Sequence, residues 1–484
     1  MGTRSDAGPA TFDAPENLLL PALADLAGPQ GEVEIRQHTF TDLYLDTAGA
    51  DLARAGVSLR RRSGSLGTTW LLRLPPGTTP AELTSRSTMH AAPPALVAAT
   101  QGVTRGAELR PVAELSTQQT LTRLVGVDGR LRAEVADERV SSTTLGDASR
   151  LDHWRVLTLR PGDSDEADVE PVATRLREAG ARPAERPGPL ERALGLPEQP
   201  VLPAADTLAD LVGRYVAEQC DQIARGDLSL RIGQPSVHAT RVAVRRLRST
   251  LRIFADLLDP EPAHRLELEL VWWAGLLGEV RDREVLAERF ASQLATLPPE
   301  LVLGPVAADI DATLSRERAE HLRRLQQEVA EPRLLALLEA LARWRAEPPL
   351  LEGASAPAEG VRSYVKGADR KARRRLRSAA RHEPGQAQEE LLHRARKAAK
   401  RARYAAELAQ PAWAGATRRI GRGKQVQEVL GEHQDSVVAM EFLLRAGAQA
   451  GTRRGRNGFT YGLLLEAERQ RATRVWRELT KIDP

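Results

Sequence analysis

Beyond residue 206 the apolar positions recur with a 3.6-residue period, and before residue 160 they do not. The later stretches, rich in Leu, Ala, Arg and Glu, cover about 207–224, 236–258, 262–292, 306–345, 359–382, 386–409, 414–446 and 455–480. Spacing of this kind predicts amphipathic helices. Asp206 and Ser236 stand where N-caps belong, and Pro260, Pro262, Pro348 and Pro349 punctuate the run. Residues 33–160 read as strands: "EVEIRQHTF", "VSLRRR", "TTWLLRLP", "TLTRLVGVDGRLRAEVADERV" and "HWRVLTLR" are short and β-branched or alternating. "SGSLG", "PPGTTP" and Asp128-Gly129 separate them, the last as a hairpin turn. "EPVATRLREAGA" predicts a helix ending near Gly180, and the Pro/Gly-rich "RPAERPGPLERALGLPEQPVLP" runs from it into a linker.

One predicted helix carries more than a core stripe. In "HATRVAVRRLRSTLRIF" the residues His238, Arg241, Arg245, Arg248 and Arg252 step by three and four, so they stack on one face. Val244, Leu247, Leu251, Phe254 and Leu258 form the neighbouring apolar seam. The pattern repeats. Shifted by 155 residues, His238, Arg241, Arg245, Arg246 and Arg248 fall on His393, Arg396, Lys400, Arg401 and Arg403 of "HRARKAAKRARYAAEL". "LLGEVRDREV" at 276–285 matches "VLGEHQDSVV" at 429–438 with a shift of 153, which sets Asp282 on Asp435. Two helical units of about four helices each, joined near "EPPLLEGASAPAE", account for both offsets.

Charge sharpens this picture. The 484-residue chain has a net charge of only +4, yet residues 362–403 hold 15 Lys/Arg against 4 Asp/Glu. So concentrated a basic field implies an anionic partner. Aligned cations repel, and an anion laid along them turns that cost into attraction. Arginine suits phosphate because its fork binds oxygens bidentately and keeps its proton. His238 and His393 head their helices, an end that favours anions. Asp282 and Asp435 are placed either to hold cations by ion pairing or to cap helices. A solvated basic face would show the same composition in any single helix; two matched files in a repeat argue against it. Aromatics make up 4% of the chain, and near the files only Tyr404 and Phe254 occur. Single-strand nucleic-acid binders add stacking platforms, so phosphate alone is the preferred partner. The single cysteine, Cys220, excludes an intrachain disulfide framework. No stretch is apolar enough to span a membrane and the N-terminal segment lacks a secretory apolar run, so a cytoplasmic location is expected.

The two basic helices, each followed by Leu-Gly and an Asp, resemble the halves of a CHAD (conserved histidine α-helical) domain over about 207–480, with halves near 207–345 and 359–480. That family's members are paired four-helix bundles that bind inorganic polyphosphate through these faces, and some associate with polyphosphate granules. The resemblance implies binding roles for His238, Arg241, Arg245, Arg246, Arg248, His393, Arg396, Lys397, Lys400, Arg401 and Arg403, and for Lys424 in "GRGKQVQEVLGEHQD". Arg252 joins them as a member of the first file. "GADRKARRRLRSAARH" at 367–382 belongs by charge more than by motif.

"DLYLDTAGADLARAGVSLRRRSGSLGTTWLLRLP" and "LRAEVADERV" resemble a CYTH domain, the triphosphate-tunnel fold, over about 11–196, with 197–206 as linker. Such domains are closed antiparallel β tunnels in which inward Arg/Lys hold a triphosphate and inward acids hold a divalent metal. Matching positions are Arg60, Arg62 and Arg73 for the anion, and Glu134 and Asp137 for the metal. The family's opening Glu-x-Glu-x-Lys is missing from "ATFDAPENLLLP"; Glu32, Glu34 and Arg36 have its spacing but stand on the next predicted strand. "WRVLTLR" has Val, Leu and Thr where alternating glutamates belong. The expectation is therefore a multidomain α+β protein. Its N-terminal antiparallel β tunnel or barrel with helices is degenerate and without catalysis, and its C-terminal all-α pair of pseudo-symmetric four-helix bundles grips polyphosphate. No cofactor is required, although Mg2+ can accompany the ligand. The alternatives are a Mg2+-dependent inorganic triphosphatase and a nucleic-acid-binding protein.

Overall fold

The computed structural model describes residues 10–479, apart from 29, 76–77, 79–80, 147–148, 163–168, 185–187, 198–203, 235 and 384. Most of the expected 197–206 linker thus lies outside the described residues. The chain divides into two compact units, Met1–Leu202 and Pro203–Pro484.

The first unit is one antiparallel sheet with short helices. Its strands are β1 (Ala10–Ala14), β2 (Glu32–Asp46), β3 (Ser58–Gly64), β4 (Gly67–Arg73), β5 (Glu82–Ser85), β6 (Arg110–Val125), β7 (Leu131–Thr144), β8 (Leu151–Pro161) and β9 (Arg182–Pro183). They lie in the order β5-β4-β3-β2-β6-β7-β8-β1-β9. Helices α1 (Asp51–Arg54), α2 (Pro94–Thr104), α3 (Val169–Glu178) and α4 (Pro189–Leu194) complete it. The β6–β7 connection is the hairpin expected at Asp128-Gly129, and Gly129 takes φ +71° there, which a side chain would resist.

Strand periodicity gives the sheet two unlike faces. Leu124, Val135, Leu157 and Leu159 pack under Val172 and Leu176 of α3 on one face. On the other, Tyr44, Leu115, Val140 and Trp154 meet Leu190 and Ala193 of α4. Beyond that apolar plug the second face is polar: Asp42 and Tyr44 stand opposite Arg62 and Arg60, Gln119 opposite Glu138, and Arg123 opposite Glu134.

The second unit is helical: α5 (Leu208–Arg231), α6 (Val237–Ile253), α7 (Pro260–Thr296), α8 (Val306–Ala330), α9 (Pro332–Ala346), α10 (Val361–Ala380), α11 (Gln386–Ala409), α12 (Gly415–Gly451) and α13 (Phe459–Leu479). Thr207, not Asp206, caps α5: its hydroxyl accepts the Asp210 N–H while the Asp210 carboxylate accepts the Thr207 N–H. Such a capping box contributes about 1 kcal/mol. The stretch 306–345, expected as one helix, breaks at Glu331, because Pro332 forces the residue before it into extended backbone. The duplication shows in length, since α7 and α12 have 37 residues each.

The two halves share their cores. Val244, Leu247, Leu251, Phe254 and Leu258, the seam read from the sequence, are buried with α5, α7, α9, Val361 of α10 and the C-terminal end of α11. At the far end, Phe290 of α7 and Ile310 of α8 pack with Phe442 of α12 and Leu464 of α13. An ion cluster locks this second core. Arg289 of α7 binds both carboxylate oxygens of the fully buried Glu468 at 2.6 and 2.7 Å, and reaches Glu432 and Ser436 of α12. Burial opposes ionisation of Glu468, but its bonds with Arg289 outweigh this and hold the carboxyl below the usual glutamate range. Among the described residues no helix is long and apolar enough to cross a membrane.

Removing one partner of such a cluster leaves a buried charge uncompensated. Arg289→Ala is expected to lower the unfolding free energy by about 3–5 kcal/mol, read from urea denaturation, whereas Arg265→Ala at an exposed i,i+4 pair should change it by under about 1 kcal/mol.

Candidate polyanion-binding site

The repeat becomes geometry where α6 meets α11. Arg241 donates to Asp282 at 2.7 Å, and its offset partner Arg396 pairs with Asp435 at 3.7 Å. Both aspartates lie in mid-helix on α7 and α12, so they are ion-pair partners and not caps. The glycines of the two Leu-Gly sequences leave room for this. A Cβ at Gly278 would stand 3.5 Å from the Arg241 guanidinium, and one at Gly431 would stand 3.9 Å from that of Arg396. Each guanidinium therefore lies close against the backbone of the long helix that holds it.

Between these struts stand cations with no carboxylate of their own. Among the described ion pairs none involves Arg245, Arg248, Lys397, Lys400 or Arg401. The Nε atoms of Arg245, Arg248 and Arg396 are buried with no protein partner. The two files face one another electrostatically. Burial and the fields of Arg396, Arg245 and Arg241 push the Lys400 ammonium down to about 7, with Asp435 opposing. Burial and the same α6 arginines lower Arg396, again against Asp435 and Asp282. Lys397 and Arg401 are lowered by burial and by their neighbours Arg248 and Arg252. Cations brought this close with too few counter-charges favour any ligand that supplies negative charge.

The histidines flank the cluster differently. His238 is exposed in the first turn of α6, and burial together with Arg281, Arg245 and Arg241 lowers it below the usual histidine range. His393 does not head its helix: α11 starts at Gln386, two turns earlier, so its backbone N–H is already used. Its Nδ1 lies 3.0 Å from the Gln434 side-chain oxygen. Burial is the main reason that His393 too is lowered, with Lys397, Arg396 and Lys400 adding to it.

Four expected members are engaged elsewhere. Arg246 donates to Glu407 at 2.9 Å, and Arg403 pairs with the same carboxylate at 3.2 Å; both guanidiniums lie over the Tyr404 ring. Lys424 is exposed on α12 and lies 4.0 Å from Glu428. Arg252 belongs to the file but is ion-paired with Glu267. Glu407, Glu267 and Arg375, whose charge bears on Arg401, were not picked out from the sequence. A signal for Glu407 existed: at the 155 offset it takes the place of Arg252, a charge reversal inside an otherwise matched file.

In the N-terminal unit two of the three candidate cations are already matched. Arg62 binds Asp42 bidentately at 2.7 and 2.8 Å; Arg60 reaches Glu82 at 2.9 Å and Asp42 at 3.6 Å. Arg73 stands opposite Glu82 on the same face. Glu134 and Asp137 are three residues apart on β7, hence on opposite faces, and they form no common metal site. Glu134 sits between Arg123 and Arg160, while Asp137 holds Arg155 at 2.7 and 2.8 Å on the other face. Glu32, Glu34 and Arg36 share a face of β2, where Glu34 bonds Arg36 and Arg123. Burial raises Glu138, although a hydrogen bond from Gln119 opposes the shift. Among the described residues no three His, Cys, Asp or Glu side chains are grouped to hold a metal.

The chain is similar to proteins of known sequence and of known structure. Uncharacterised proteins from two strains of Mycobacterium tuberculosis are 32% identical over 489 residues, which covers 97% of this chain and 94% of theirs. PptA from Streptomyces chartreusis shares the fold over 57% of this chain and 99% of its own, with a TM-score of 0.50 and 20% identity. A putative adenylate cyclase from Bacillus halodurans aligns with 38% of this chain and 95% of its own, with a TM-score of 0.26 and 13% identity. The CHAD domain family model matches residues 214–444, a span that contains both cation files and both aspartate struts. Residues 214–444 of this chain are thus a member of the CHAD domain family.

Proposed function

We propose that the C-terminal unit binds inorganic polyphosphate along the α6–α11 cation cluster. The carrying observation is the set Arg245, Arg248, Lys397, Lys400 and Arg401, gathered from two helices and ion-paired to nothing among the described residues. Arg241 and Arg396 are pinned by Asp282 and Asp435, which fixes the walls of the site without neutralising its centre. A linear phosphate chain offers one negative charge after another along such a row, and arginine forks take its oxygens in pairs. Nucleic acid is disfavoured because Tyr404 and Phe254 are buried at 1% and 0% exposure and offer no stacking surface.

The N-terminal unit, CYTH-like in its sequence, serves in this reading as a non-hydrolytic partner domain. Metal-assisted phosphate hydrolysis needs converging carboxylates. Here Asp42, Glu134 and Asp137 are each committed to an arginine, and Glu138 to Gln119. These residues do not fit a resident Mg2+. Phosphate release from tripolyphosphate that depends on Mg2+ and is abolished by Glu134→Gln would overturn this part.

Combined Arg245→Glu and Lys400→Glu should cost at least a hundredfold in affinity for long-chain polyphosphate, measured by titration calorimetry, with helicity unchanged. Wild-type affinity should fall steeply with salt as counterions are released. A salt-insensitive affinity contradicts the mechanism, and equal competition by RNA of matched charge would favour the nucleic-acid alternative.

Protonation adds a second test. Lys400 faces Arg241 and Arg245 of α6, Arg396 of its own helix and Asp435 of α12. A bound polyanion restores its proton, so affinity should fall as pH rises through about 7. Lys400→Arg, which keeps its charge, should flatten that profile. The unliganded fold responds with the opposite sign. The unfolded lysine binds its proton more tightly, so stability rises with pH between about 7 and the ordinary 10.5.

A further inference from the structure

The repeat does not extend to α10. Its offset counterpart α5 carries three arginines and four carboxylates, whereas α10 carries eight cations and one carboxylate. Lys366, Arg370, Arg373, Arg374, Arg377 and Arg381 fall within one stripe, opposite Ala368, Ala372, Leu376 and Ala379, which face the core side. The stripe spans 15 residues, about 22 Å at the helical rise. All six cations are exposed, and Arg370, Arg373, Arg374, Arg377 and Arg381 line a depression of about 640 Å³. Among the described ion pairs none joins Lys366, Arg370, Arg373, Arg374 or Arg381 to a carboxylate; the lone acid, Asp369, is held by Arg419 at 2.9 Å. The like-charge pairs 366/370, 370/374, 373/377 and 377/381 each cost the helix about 0.2–0.5 kcal/mol. Nothing in the packing of α10 requires them.

The stripe continues from the groove on one side only. Arg401 and Arg252, at the open end of the α6–α11 cluster, stand where the other end has Arg246 and Glu407. Glu407 closes its end by taking both Arg246 and Arg403. At the open end Arg401 lies in the field of Arg252, Arg375 of α10 and Arg248, opposed by the single carboxylate of Glu267, the ion-pair partner of Arg252. Arg375 and Lys371 lie on the flank of α10 between its packed face and the exposed stripe. A row of cations thus leads out of the groove, past Arg375 and around α10.

We propose that the outer face of α10 is a second, contiguous strip that holds the overhanging part of long polyphosphate chains and gives the site its preference for length. This rests on the groove reading above. A chain of a few phosphates is satisfied inside the groove, and only a longer one reaches Arg370, Arg374 and Arg381.

The test uses the full-length protein with tripolyphosphate, with long-chain polyphosphate and with RNA of matched charge, comparing the wild type, the triple variant Arg370→Gln/Arg374→Gln/Arg381→Gln, and the groove variant Arg245→Glu/Lys400→Glu. The triple variant is expected to lose about tenfold in affinity for the long chain, and its log–log salt slope should flatten by about 2–3. Its tripolyphosphate affinity should stay within about twofold, and circular dichroism should be unchanged. Unaltered long-chain binding by the triple variant overturns the strip while leaving the groove intact. An equal loss for both ligands overturns it as well, because the face would then be no extension. A loss confined to RNA would assign the face to nucleic acid and overturn it. Undiminished tripolyphosphate binding by the groove variant sinks the groove reading separately.

Discussion

Mutual repulsion between the two files is the constraint around which the C-terminal unit is built. Arg245, Lys400 and Arg396 are brought together from helices that would separate if charge alone decided. What holds them is apolar: Val244, Leu247 and Leu251 of α6, with Ala405, Ala406 and Ala409 of α11, are buried in one shared core. Burying a Val or Leu side chain contributes about 1.5–3 kcal/mol, and many such side chains act together in this core. The scaffold can therefore hold an electrostatically unfavourable arrangement. Depressed proton affinity at Lys400 is the visible sign of that arrangement.

The same chain shows the opposite solution in its first unit. There too arginines are gathered on one face of a framework, but Arg62 is met by Asp42, Arg60 by Glu82, and Arg123 by Glu34 and Glu134. Such a face is internally balanced and leaves little unspent charge for a ligand. The contrast lies in the pairing, not in the number of arginines.

Pseudo-symmetry is kept where it serves as structure and broken where direction matters. The Arg241–Asp282 and Arg396–Asp435 struts, with Gly278 and Gly431 beneath them, are true counterparts. At the position 155 residues on from Arg252 the chain has Glu407, which turns one end of the helix pair into a closed salt-bridge cluster. The shared cores and the Arg289–Glu468 lock keep the halves together, so this asymmetry is held in a fixed frame.

The amino-acid sequence alone determined the change from strand to helix texture, the apolar seam of α6, the duplicated files and the Leu-Gly-Asp partners, because each is a periodicity or an offset along the chain. It could also show that Glu134 and Asp137 alternate on a strand, although the resemblance had grouped them. Which cations remain uncompensated was decided only by tertiary structure. Arg246 and Arg248 are both arginines of one basic helix, yet one meets Glu407, 161 residues away, and the other is ion-paired to no acid among the described residues. The placing of His393 at a helix head conflicted with the periodicity itself, which already runs from 386, where α11 begins. Pairing depends on distances between residues remote in sequence, and a one-dimensional pattern holds no record of those distances.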